Sequence, residues 1–179
     1  MTTAAVPKSQ QPGRGRAAKW LAPLPLVLLL LFFFFAPVGT CLAVTDYHTG
    51  RIRMALPVKD GETFSIRFTH SLNLSDVTDE IVVDGASLVC ASSLFTAYGA
   101  GIPDPAADGI GRELTLTDAG FLLTGIDKAQ ARIPILLQEV PNHRLLYRGA
   151  EINLLGRFGS GALVVLSVRP ATLFLLLAY

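Results

Sequence analysis

The sequence predicts an all-β protein: a single β-sandwich or barrel-like domain following an N-terminal hydrophobic signal or anchor helix. Three observations predict it. Short runs alternate apolar with polar residues, as in Phe64-Ser65-Ile66-Arg67-Phe68-Thr69, which suits a strand with one buried face. Turn-forming residues divide these runs at the spacing of roughly 8–12 residues expected of sandwiches and barrels. Beyond Val44 no segment sustains the 3.6-residue period of an amphipathic helix.

The first segments are not ordinary globular sequence. Residues 1–19 carry Lys8, Arg14, Arg16 and Lys19 and no acidic residue, and read as a basic cytoplasmic tip. Residues 20–45 read as a signal peptide or membrane anchor, because the 25 residues from Trp20 to Val44 include no charged side chain. A spanning helix needs roughly 20 apolar residues, and a signal peptide needs a basic start and an apolar stretch of roughly 7–15. Pro23 and Pro25 at the entry and Pro37 at the exit leave a dense centre of signal-like length. Cys41-Leu42-Ala43 offers an imperfect cleavage site, and Val38-Gly39-Thr40-Cys41 a loose lipoprotein box. In every version the N-terminus stays inside, and residues 46–179 form an extracytoplasmic domain, periplasmic or on the cell surface.

Strand candidates follow in order. Phe64–Thr69 comes first, then a strand through Ile81 and Val83, then Ala86–Ala97 with Leu88, Cys90 and Leu94 on one face. Leu114 and Leu116, Phe121–Thr124, the alternating Ile133, Ile135 and Leu137, then Leu145 and Tyr147, and Ile152 and Leu154 mark shorter ones. Leu163–Val168 is a continuous apolar strand. Lys59-Asp60-Gly61, Asp84-Gly85, Arg148-Gly149 and Gly156–Gly161 supply turns. A long loop from Tyr98 to Gly111, rich in glycine and proline, is of a length that in compact domains is commonly functional. The apolar end from Thr172 to Tyr179 reads as a last strand packed on the core, or as an interfacial anchor. Cys41 reads as part of the targeting segment and Cys90 as a small buried hydrophobe; a disulfide between them is the alternative outside the cytoplasm.

From residue 46 onward 11 basic side chains face 14 acidic ones, a net charge of about −3. Without clustered Lys and Arg, nucleic-acid binding is not expected. By alternation His70 lies on the face of Phe64, Ile66 and Phe68, with Glu80 on the strand that a hairpin would lay beside it. A His–carboxylate pair can orient an imidazole for proton transfer or metal binding, or clamp a hairpin. His143 is a third candidate group, although the spacing is not that of a metal motif. No cofactor is expected, no metal site and no assigned catalytic residue. Gly159-Ser160-Gly161 is better explained by a turn than by a nucleophile, since GxSxG, a phosphate loop and CxxC are all missing from the sequence.

One set of motifs goes further. Phe64 to Ser71, ending in Thr69-His70-Ser71, then Glu80, then Tyr98-Gly99-Ala100-Gly101-Ile102-Pro103, and later Asn142-His143-Arg144-Leu145 with Gly149, resembles a family of small exported bacterial proteins of unknown function. The likeness spans about Arg51 to Val168. Leu72 stands where that family often has Val. Members are typically encoded beside TRAP transporters of the TAXI type, so the resemblance implies an accessory role at the outer face of such a transporter. The implied partners are its membrane component or its solute-binding protein. The candidate contact residues are His70, Ser71, Glu80, Gly99, Ala100, Gly101, Pro103 and His143. An extracytoplasmic, hydrolase-like enzyme using His70 and Glu80 is the alternative.

Overall fold

A computed structural model describes residues 23–97, 99 and 111–179. The chain divides into two units, residues 1–36 and 37–179. The first contains helix α1 (Leu24–Phe35), apolar throughout, with Pro at its first turn, where a missing N–H costs nothing. Its 12 residues span about 18 Å. Among the described residues no helix is long and apolar enough to cross a membrane. Ala36 is extended, with ψ 144°, as a residue before proline must be.

The second unit is built from β1 (Pro37–Asp46), β2 (Ile52–Val58), β3 (Thr63–Thr69), β4 (Asp76–Asp84), β5 (Ser87–Phe95), β6 (Glu113–Thr117), β7 (Gly120–Gln130), β8 (Ile133–Leu136), β9 (Arg144–Tyr147), β10 (Ala150–Asn153), helix α2 (Leu154–Phe158), β11 (Leu163–Thr172) and helix α3 (Leu173–Ala178). The strands form two antiparallel sheets. One runs β2-β1-β11-β8 and the other β10-β9-β3-β4-β5-β7-β6. Leu42, Val44, Met54 and Leu166 from the first sheet share one buried cluster with Phe64, Ile66, Ile81 and Leu145 from the second. The fold is therefore the expected all-β sandwich, with its core between the sheets. The Tyr147 hydroxyl donates to the Pro57 carbonyl, tying β9 of one sheet to β2 of the other.

The domain does not begin at Asp46. Pro37–Asp46 is an internal strand, paired with β2 on one side and β11 on the other. Cys41, Leu42, Ala43 and Val44 are all 0% exposed. Leu42 and Val44 face the main core. Cys41 and Ala43 face the other way, into a small cluster with Ala55, Ala171, Leu175 and Leu176. A strand buried on both faces is apolar at every position, so its sequence merges with the helix before it. Cys41 is thus a core residue rather than part of a targeting segment, and Cys41 and Cys90 are both free thiols.

Two further expectations are corrected, and β2 adds a strand that the sequence did not signal, its Pro57 tolerated because β2 is an edge strand. The apolar end is a helix after Thr172, whose hydroxyl accepts from the Leu175 N–H at 3.1 Å. In β5 a bulge between Cys90 and Ser92 switches the inward phase from Leu88 to Ser93 and Phe95, which removes Leu94 from the face of Leu88.

Candidate functional site

The inner face of the larger sheet is ordered by its register. Leu145 lies opposite Ile66, Ile66 opposite Asp79, Asp79 opposite Ser93 and Ser93 opposite Leu123. Directly opposed residues project to the same face. Ile66, Leu145 and Leu123 are core residues, so Asp79 is a carboxylate turned into the sandwich. Glu80, one residue on, is turned out: it is exposed, opposes Ser65, and accepts from the Ser92 hydroxyl at 3.2 Å.

The expected pairing of His70 with Glu80 does not form. β3 ends at Thr69, which opposes Asp76. Five residues separate Ser65, the partner of Glu80, from His70, roughly 16 Å along a strand. His70 instead opens a tight turn. Its N–H donates to Ser75 O and its carbonyl accepts from Leu74 N, each at 2.8 Å. Ser71 is exposed on this turn. Gly99 adjoins it, since a Cβ on Gly99 would meet the Asn73 side chain at 2.8 Å. Ala100, Gly101 and Pro103 lie outside the described residues.

His143 stands beside Asp79 in another respect. It precedes β9, and its ring stacks on Phe68 with centroids 5.3 Å apart and planes 29° apart. Asp79, His143, Ile66 and Phe68, together with residues 133–136 of β8, line an open pocket of about 240 Å³ between the sheets. The Ser93 hydroxyl donates to Asp79 Oδ1 at 2.5 Å. Burial pushes the Asp79 carboxyl above its ordinary pKa, and the Ser93 hydrogen bond opposes that rise. Burial also holds the His143 imidazole below its ordinary value. His143 Nδ1, His70 Nδ1 and Asn142 Oδ1 are buried without hydrogen-bond partners. Among the described residues no three His, Cys, Asp or Glu side chains are grouped to hold a metal ion. Asp79 was missed from the sequence, yet carrying the Ile81–Val83 alternation back two residues would have found it.

The profile of a family described as a domain of unknown function, DUF1850, matches residues 64–154. The chain belongs to this family. No curated protein and no solved structure matches it. The DUF1850 match takes in every residue of the pocket and the His70–Ser75 turn, whereas β1, β2 and β11 fall outside it.

The Asp79 environment has a measurable consequence for this DUF1850 domain. Its folded-state pKa lies above that of an unfolded aspartate, about 3.9, so the folded state holds the proton more tightly. The stability contribution is whole below the unfolded value and falls as pH rises through the folded value. Asp79→Asn keeps an oxygen to accept from Ser93 and removes the charge. It is expected to raise the urea midpoint at neutral pH and to lose that advantage below pH about 3.9. An equal midpoint shift at both pH values would mean that the carboxyl is not held in the environment described.

Proposed function

We propose that this DUF1850 protein is an exported accessory module of a TAXI-type TRAP solute transporter, docking on a transporter component through the His70–Ser75 turn. The observation that carries the reading is the pair of leucines on that turn. Leu72 and Leu74 are 72% and 71% exposed, and Leu74 sits at φ +50°, a left-handed conformation that costs a branched residue roughly 1–2 kcal/mol. Two apolar side chains held in solvent on a strained, hydrogen-bonded turn suit a protein contact better than a folding role. Gly99 borders the same surface.

The uncharged run after four basic residues supports export, and the motif resemblance supports the transporter association. Glu80 does not belong to this surface. The hydrolase-like alternative is less well supported, because Glu80 opposes Ser65 and accepts from Ser92, whereas His70 lies in the turn beyond the end of β3.

The double variant Leu72→Ser, Leu74→Ser tests the reading in cells carrying the neighbouring TRAP genes. Its thermal midpoint is expected to stay within a few degrees of the parent, since exposed substitutions rarely cost more than about 0.5 kcal/mol. Solute uptake is expected to fall to the level of a strain lacking the gene. Uptake unchanged in the deletion strain would overturn the accessory role. Uptake lost in the deletion but normal in the double variant would overturn the docking surface.

A further inference from the structure

Asp79 is placed where a carboxylate is costly unless something compensates it. It lies on the inward face between Ile66 and Ser93. Its one side-chain hydrogen bond among the described residues comes from Ser93, a neutral donor that occupies Oδ1. No Lys or Arg among the described residues pairs with it in an ion bridge. The carboxylate therefore has acceptor capacity left over, and it opens on a pocket rather than on packed core.

The walls of that pocket have a chemistry of their own. One side is the Phe68–His143 stack, where burial lowers the imidazole below its ordinary pKa. The opposite side is aliphatic, from Ile133, Pro134 and Ile135 of β8. A guest that satisfies both must bring donors and positive charge to Asp79 and a short apolar body to β8. An ammonium group has three donors and no acceptor, pairs with carboxylate through a charge-assisted hydrogen bond, and is attracted to aromatic faces. At about 240 Å³ the space sits below the common range for drug-sized ligands of roughly 300–1,000 Å³, so the guest is small.

We infer that the pocket formed by Asp79, Phe68, His143 and β8 binds a small organic cation, an ammonium group bearing a short apolar tail. Asp79 is the charge partner, and Ser93 is the positioning residue that fixes its rotamer through Oδ1. This site is separate from the His70–Ser75 turn, and it stands whether or not that turn docks on a transporter.

The test uses the full chain in detergent micelles, labelled with ¹³C at the aspartate carboxyls, and n-butylammonium as the probe. The Asp79 carboxyl resonance is expected to shift saturably with the probe, and the His143 ring resonances with it. The neutral isostere n-butanol is expected to bind at least about tenfold more weakly, and Asp79→Asn to lose about tenfold or more in affinity for n-butylammonium. Those factors correspond to losing one hydrogen bond to a charged group. A cooperative melting curve for Asp79→Asn establishes that the variant tested is folded. Equal binding of n-butanol and n-butylammonium, or binding indifferent to Asp79→Asn, would overturn the cation site. So would shifts that never saturate.

Discussion

A chain that begins at Asp46 will not fold, whereas one that begins at Pro37 will. Far-UV circular dichroism and urea unfolding of the two purified proteins check this directly. The shorter chain lacks Pro37–Thr45 of β1, the strand that joins β2 to β11 in the smaller sheet. Its loss exposes two strand edges at once and removes Leu42 and Val44 from the core. Truncating one buried leucine costs about 2–5 kcal/mol, and burying each large apolar side chain contributes about 1.5–3 kcal/mol. With Cys41, Ala43 and Thr45 also gone, the sum exceeds much of the 5–15 kcal/mol that holds a typical domain together. Processing after Cys41-Leu42-Ala43 would cut the same strand. A cooperative unfolding transition in the chain from Asp46 would show that β1 is dispensable and the sheet order wrong.

Gly120→Ala is expected to lower stability by about 3 kcal/mol or more, a size reserved for a short list of backbone and core mechanisms. Gly120 opens β7 at φ +133°, a region essentially closed to residues with a Cβ. A Cβ there would also strike the Phe95 carbonyl oxygen on β5, with Thr96 Cα next in line. Both obstacles are backbone, so no side-chain rotation relieves them. For a domain of this size the thermal midpoint should fall on the order of 10 °C. Gly85→Ala is the control. Gly85 is also left-handed, at φ +56°, but a Cβ there meets open space, so the expected cost is about 1–2 kcal/mol. Equal losses at the two glycines in chemical denaturation would mean that β5 and the β6–β7 hairpin do not approach as described.

The period-two runs were readable because each has one wet and one dry face. Phe64, Ile66 and Phe68 against Ser65, Arg67 and Thr69 became β3 without adjustment, and Ile133 and Ile135 marked β8. The same periodicity carries the phase of β4: following the alternation of Ile81 and Val83 back would have placed Asp79 inward and Glu80 outward, which the pairing of Glu80 with His70 overlooked. The error at His70 was one of register. Hairpin geometry decides which residues stand opposite, and the six-residue turn from His70 to Ser75 set Thr69 against Asp76 rather than His70 near Glu80.

Composition and order alone determined the class of fold, the positions of most strands and turns, and the charge asymmetry of the chain, because these depend on local alternation and on which residues tolerate a turn. The tertiary structure decided the rest, each time through a contact between residues far apart in sequence. Periodicity cannot separate a strand buried on both faces from an apolar helix. The division of the apolar segment into α1 (Leu24–Phe35) and β1 (Pro37–Asp46) therefore needed β11 on one edge, β2 on the other and α3 over the second face. The bulge that turns Ser93 toward Asp79 appears in the pairing of β5 with both β4 and β7. The pocket itself joins β3, β4 and the residue before β9 to β8 in the other sheet, and no local pattern encodes which strands two sheets will bring face to face.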